Sequence, residues 1–274
     1  MSRTRAIIFL VLSSFFWGVS FPLVKAAVGK VSPVELFALR FAISLILVLP
    51  LVGRDFLKPA FALLGFLNAS AFLLQFVGQK YTTATEAAII TLAILPLVAF
   101  LSFTIGERLT LRKSLAALLT LTGSFVIITR LDFSALRFSS LRGNLLIFLA
   151  TFLWAVFTVI SRKIQREGGE STWNILFWTG IFSLPSFALG RVRLSFYAIV
   201  VALVLAVFAT VLAFYLFLEA MKVIDATTSE IIISLQLVFA LIPSLIFLSE
   251  RLTLSMVLGC LFTLSSVFLV AGEN

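Results

Sequence analysis

Among the ionisable residues that interrupt long apolar runs in this chain of 274 residues are Lys25, Arg40, Glu86, Arg162 and Glu230. A lysine or arginine at the centre of a membrane-spanning helix costs about 2.5 to 3.5 kcal/mol on insertion scales, so each such group needs a partner or a task. Lys25 closes the first apolar run and Glu86 opens the fourth, and Arg162 and Glu230 repeat them in the second half. Lys25 with Glu86 is expected to close one mouth of a central passage, and Arg162 with Glu230 the other. Snorkelling or interfacial side chains are the alternative. Arg40 is the deepest positive charge. A guanidinium facing a cavity suits a carboxylate or a phosphate, while a backbone carbonyl or Glu35 are its other available partners.

A second set is polar or aromatic without charge. Trp17 and Trp154 fall at the middle of their runs, and so do Asn68 and Thr210, 142 positions apart. Gln75 lies two turns beyond Asn68, Tyr215 lies farther along the run that holds Thr210, and Trp178 and Thr179 come from another. Aromatic walls with a few placed polar groups make a small-molecule pocket, and mid-run is the wrong depth for an interfacial tryptophan anchor. Packing is the competing account of the tryptophans. A pseudo-twofold axis is expected to bring Asn68 to Thr210 around a hollow that Trp17 and Trp154 complete.

Catalysis is a poor match. The chain has no histidine, hence no Ser-His pair and no histidine metal site, and Asp55, Asp132 and Asp225 lie in the joints between runs. No phosphate-binding or dinucleotide fingerprint is present, and neither a metal nor a cofactor is expected. The one cysteine, Cys260, reads as a small apolar filler.

The elements that must position these residues are helices in lipid. Hydrophobic residues make up 61% of the chain and charged residues 12%, too little polar surface for a water-soluble core. Runs of about 20 apolar residues recur with short joints. They predict ten spans, at 6–28, 33–53, 58–79, 82–105, 110–129, 143–164, 171–189, 195–221, 226–248 and 252–271. The net charge of +9 is spread over the joints, as orientation of spans requires, and points to no nucleic-acid partner. No cleavable signal is expected, since the run after Arg3 and Arg5 is of full spanning length.

The chain repeats itself. Glu107-Arg108-Leu109-Thr110-Leu111 returns as Glu250-Arg251-Leu252-Thr253-Leu254, 143 positions later. Ser14, Trp17, Gly18, Phe21 and Lys25 likewise map onto Thr151, Trp154, Ala155, Thr158 and Arg162 at a constant 137. The repeats occupy 1–130 and 143–274, joined by a loop at 131–142. Five spans per repeat is an odd number, so the second copy enters the membrane from the other side. The expected fold is an all-α membrane protein of two inverted five-helix repeats, with its site near the midplane between them.

Basic residues orient it. Arg3, Arg5, Arg54, Lys58, Arg108, Arg112 and Lys113 share a face with the N-terminus, against Lys30 and Lys80. In the second half Arg162, Lys163, Arg166 and Lys222 stand on that face against Arg130, Arg137, Arg142, Arg191, Arg193 and Arg251, and the early spans are taken to dominate. Both termini are therefore expected in the cytoplasm of a multi-pass cell-membrane protein. Pro22, Pro50, Pro96, Pro185 and Pro243 mark bends or static kinks. Thr110 and Thr253 are natural N-caps for the fifth and tenth spans. Those spans are expected at the periphery, where Gly123 and Gly259 permit close helix approach and homodimer contacts.

The sequence resembles the drug/metabolite transporter superfamily, in its ten-span form built from two EamA-type domains. The resemblance covers almost the whole chain. It rests on Phe16-Trp17-Gly18 and Lys25, on Pro33 and Arg40, and on the stretch from Ala84 through Pro96 to Gly106-Glu107-Arg108-Leu109. Trp154, Glu250-Arg251-Leu252 and Gly259 echo it. The second copy lacks a proline near Leu237 and Val238, carries Ser249 for Gly106, and has Ser266 where Gly123 would repeat, which leaves the symmetry of the two fourth-type helices open. The resemblance implies a carrier for small organic molecules, often an exporter. With Arg40 as an anion ligand, the expected function is efflux of an amino acid or other small carboxylate by alternating access. A non-transporting scaffold or lipid-handling protein is the alternative.

Overall fold

The structure is a computed structural model, and it describes residues 1–28, 30–82, 84–132, 140–167, 172–189, 195–247 and 252–272. Every regular element among them is helical. The first repeat contains α1 (Arg3–Val28), α2 (Pro33–Val48), α3 (Pro59–Gln79), α4 (Ala84–Thr91), α5 (Ile94–Ser102) and α6 (Leu111–Thr129). The second contains α7 (Leu141–Arg166), α8 (Thr172–Ser183), α9 (Ser186–Leu189), α10 (Phe196–Val204), α11 (Ala213–Ala220), α12 (Ala226–Ile233), α13 (Leu235–Phe247) and α14 (Leu254–Ala271). Among the described residues nine helical stretches are long and apolar enough to cross a bilayer, and α8 takes the place of the seventh expected span.

The helix starts are written locally. Ser32, Thr110, Ser140, Ser195, Asp225 and Thr253 each accept a backbone N–H three residues on, satisfying one of the donors a helix N-terminus leaves open. Thr110 and Thr253 thus cap the fifth and tenth spans as expected.

The fourth-type helices break at matching places. Leu92 and Ala93 separate α4 from α5, just before Pro96, whose ring nitrogen cannot donate to the carbonyl one turn back. Ser234 separates α12 from α13 with no proline nearby. At both breaks a hydroxyl bonds back to its own helix, Thr91 Oγ1 to the Ala87 carbonyl and Ser234 Oγ to that of Ile231. Such back-bonding competes with the helical ladder and bends it. The missing proline therefore leaves this symmetry intact.

Two sets of contacts fix the sense of threading. Arg3 donates to the Val270 carbonyl and Arg112 to that of Gly272, so both chain ends lie on one face, here called the terminal face. Arg142, at the start of α7, lies over the Tyr81 ring beyond the end of α3, on the distal face. Consequently α1 runs away from the terminal face and its repeat mate α7 runs toward it.

The glycines expected to serve a dimer are used inside the chain. A Cβ on Gly123 would lie 2.7 Å from the Gly259 carbonyl oxygen, and one on Gly259 would lie 2.6 Å from that of Gly123. Thr120 donates to Ser266 at 2.7 Å beside them. Small residues let α6 and α14 approach backbone to backbone, leaving Leu115, Leu118, Leu258 and Leu261 outward.

Candidate substrate site and gates

Trp17 and Trp154 meet at the centre of the bundle. Their rings are edge to face at 5.8 Å, and Phe214 lies 5.3 and 5.8 Å from the two. Phe217 packs on both from α11 and Phe72 on Trp154 from α3. The expected hollow is filled by these rings in this structure. Trp17 is buried, while Trp154 keeps part of its surface reachable although it points into the bundle.

Arg40 joins the cluster through an unusual carbonyl. Between α10 and α11 the chain winds as a π-helix over Leu205–Leu212, whose wider turns release backbone groups from the ordinary ladder. The Ala209 carbonyl there accepts from Trp17 Nε1 and from Arg40 Nη2, each at 2.8 Å. Arg40 Nε donates to Thr210 Oγ1 at 2.7 Å, and the guanidinium lies 5.3 Å from the Phe72 ring centroid. The side chain is buried, and no ion pair to it occurs among the described residues. Glu35, its other expected partner, forms none with it.

Asn68 and Thr210 do not meet. Asn68 Nδ2 donates instead to Thr179 Oγ1 at 3.1 Å, so α3 is bonded to α8 just as the π-helix is bonded to α2 by Thr210 and Arg40. The axis relates the two bonds to each other rather than joining their corresponding ends. Gln75, half-buried, lies one turn past Phe72 on α3. Tyr215 points elsewhere: 100° around the helix from Phe214, it stacks on Trp173 at 5.3 Å and leaves the centre.

Of the residues expected to gate, the second-repeat pair has other partners. Arg162 is not paired with Glu230. Its Nε lies 2.7 Å from Glu107 Oε1, both side chains are at most 10% exposed, and it also donates to the Met221 carbonyl. Glu107 Oε2 accepts the Ala226 N–H at 3.0 Å, so one carboxylate ties α7 and the start of α12 to the first repeat. The joint after α5 passes beneath α7 and puts this acid in reach. Lys113 adds a pair with Asp225 at 3.1 Å. Glu230 bonds to Thr158 and Trp154 instead, at 2.9 and 3.2 Å. On the distal face, Thr82 Oγ1 lies 2.9 Å from Glu86 Oε2 and 2.6 Å from Asn144 Oδ1, with one hydrogen to serve them in turn. The Lys25 side chain, Ser249, Glu250 and Arg251 lie outside the described residues.

Sequence reasoning missed Glu107, Phe72, Phe214 and Phe217. Glu107 carried a signal, its exact return as Glu250, but capping alone had accounted for that joint. The phenylalanines carried none, since the chain has 30 of them.

Two oppositely threaded helical bundles meeting at an aromatic seam, with ion pairs across one face, define a membrane transporter of the double-repeat class. The chain belongs to the EamA-like transporter family, whose model matches it twice, at 4–129 and 141–272. Two Archaeoglobus fulgidus proteins, each described as an uncharacterized transporter, are 26% and 28% identical, each over 99% of this chain and over 99% and 87% of their own. The Bacillus subtilis uncharacterized transporter YvbV is 28% identical over 100% of this chain and 94% of its own. A protein crystal structure aligns with a TM-score of 0.86 over 98% of this chain and 97% of its own, at 19% identity, and so shares the fold.

Proposed function

We propose that this protein is a secondary exporter of a small organic metabolite, working by alternating access between its two repeats. The observation that carries the reading is the Trp17–Trp154 contact, where equivalent residues of oppositely threaded bundles meet at 5.8 Å. A cargo that crosses must part that seam. Trp17, Arg40, Trp154 and Thr210 form the core of the cargo site, with Gln75 beside it and the Asn68–Thr179 bond holding its wall. Arg40, buried with neutral partners, favours a carboxylate-bearing cargo such as an amino acid.

Arg162 with Glu107 and Lys113 with Asp225 hold the terminal face closed. Lys25 and Glu86 serve the distal mouth, and Glu230 lies inside the terminal one. The basic joints of the first repeat support a terminal face, with both chain ends, in the cytoplasm of a cell-membrane protein. The test is uptake of radiolabelled amino acids and small carboxylates into proteoliposomes, with and without a pH gradient. Saturable flux lost in Trp154→Ala supports the carrier, and no flux for any compound favours a scaffold.

A further inference from the structure

Glu230 is a buried acid whose neighbours leave it incomplete. It sits one turn inside α12 and is 4% exposed. Trp154 Nε1 and Thr158 Oγ1 both donate to Oε1, and Oε2 accepts from none of the described residues. Two neutral donors on one oxygen do not offset the desolvation of an ionised carboxylate, so the site is stable only when a positive charge sits on it.

Among the described residues no side chain supplies that charge. From α7, Arg162 is committed to Glu107, which comes from the joint after α5. From α6, Lys113 is committed to Asp225, the cap of α12 itself. Arg3 and Arg5 of α1 engage the Val270 carbonyl and the Phe9 ring. Helices α13 and α14 carry no charged residue. Trp154 meets the carboxylate through the N–H edge of its indole, and its side chain is only partly buried.

We propose that the Glu230 carboxyl, with Trp154 and Thr158, is a binding site for one exchangeable positive charge, carried either by a proton or by the ammonium group of a cargo. Proton binding adds H⁺ to Oε2 and leaves a neutral acid; an ammonium replaces that proton and leaves an ion pair. The assignment deepens the carrier reading, yet the binding it predicts is an equilibrium property and needs no flux.

The full chain in lipid nanodiscs is titrated with acid while its tryptophan fluorescence is followed, and benzyltrimethylammonium is then added at fixed pH in the presence of a pH indicator. The expected result is a one-proton fluorescence step, lost in Glu230→Gln and in Trp154→Phe and kept in Glu230→Asp, with release of about one proton per protein on adding the cation. A step without such release assigns the site to the proton alone. Cation binding that needs Glu230, without a step, assigns it to an ammonium. A step and cation binding that persist unchanged in a Glu230→Gln protein eluting as a single folded species, or neither signal in the wild type, overturns the assignment.

Discussion

Arg162 of the second repeat forms its ion pair with Glu107 of the first, 2.7 Å away, and not with Glu230 on the neighbouring α12. The pair is nearly dry and joins the two repeats at the terminal face. Its strength in a membrane protein lies less in attraction than in the penalty for breaking it. Removing one member of a buried pair leaves the other charge uncompensated, at a cost of about 3 to 5 kcal/mol.

Glu107→Gln and Arg162→Gln should therefore each lower the thermal denaturation temperature in detergent substantially, and the double variant should lie above the worse single. A double variant whose loss equals the sum of the singles would remove the pairing from the account.

Trp17 and Arg40 share the Ala209 carbonyl, so losing one donor leaves the other in place. Trp17→Phe keeps most of the ring contacts and should cost about 1 kcal/mol, as one net hydrogen bond does. Trp17→Ala opens a cavity and should cost about 3 to 5 kcal/mol. Denaturation of the two variants side by side separates the contributions, and equal losses would contradict them.

The α6–α14 contact tolerates no side chain at its glycines, because a new Cβ meets a carbonyl oxygen under 3 Å away. Gly123→Val and Gly259→Val should each reduce the yield of folded protein several-fold. Leu118→Val, on the outward side of α6, should leave it unchanged. Fluorescence-detected gel filtration measures this directly, and a normal monodisperse peak from either glycine variant would count against the packing described.

Pro96 is dispensable for the helix break if the paired architecture makes it, as Ser234 and its surroundings do in the second repeat. Pro96→Ala should leave amide exchange at Leu92 and Ala93 as it is in the wild type, while Pro96→Ala combined with Thr91→Val should slow it. Slow exchange in the single variant would make the proline the cause.

The sequence by itself determined the class of fold and the sense of its duplication. Apolar run length selects helices in lipid, because hydrocarbon leaves backbone groups no other way to be satisfied. Five spans in each repeat then reverse the second, and the recurrence of Trp17 as Trp154 places equivalent residues on the helices that cross at the centre. The caps Thr110 and Thr253 were legible too, since capping involves only four consecutive residues.

Only the tertiary structure decided which polar groups meet. Arg162 has acids in reach at 107 and 230, and Asn68 has hydroxyls at 179 and 210; composition and period treat the choices alike. The outcome depends on helix rotation and on where a joint passes: 100° separates Phe214, on the tryptophan seam, from Tyr215, turned away from it. The π-helix that offers Ala209 to Trp17 and Arg40 is likewise invisible in the run Leu205–Leu212, because the donors that stabilise it come from helices about 170 and 190 residues distant.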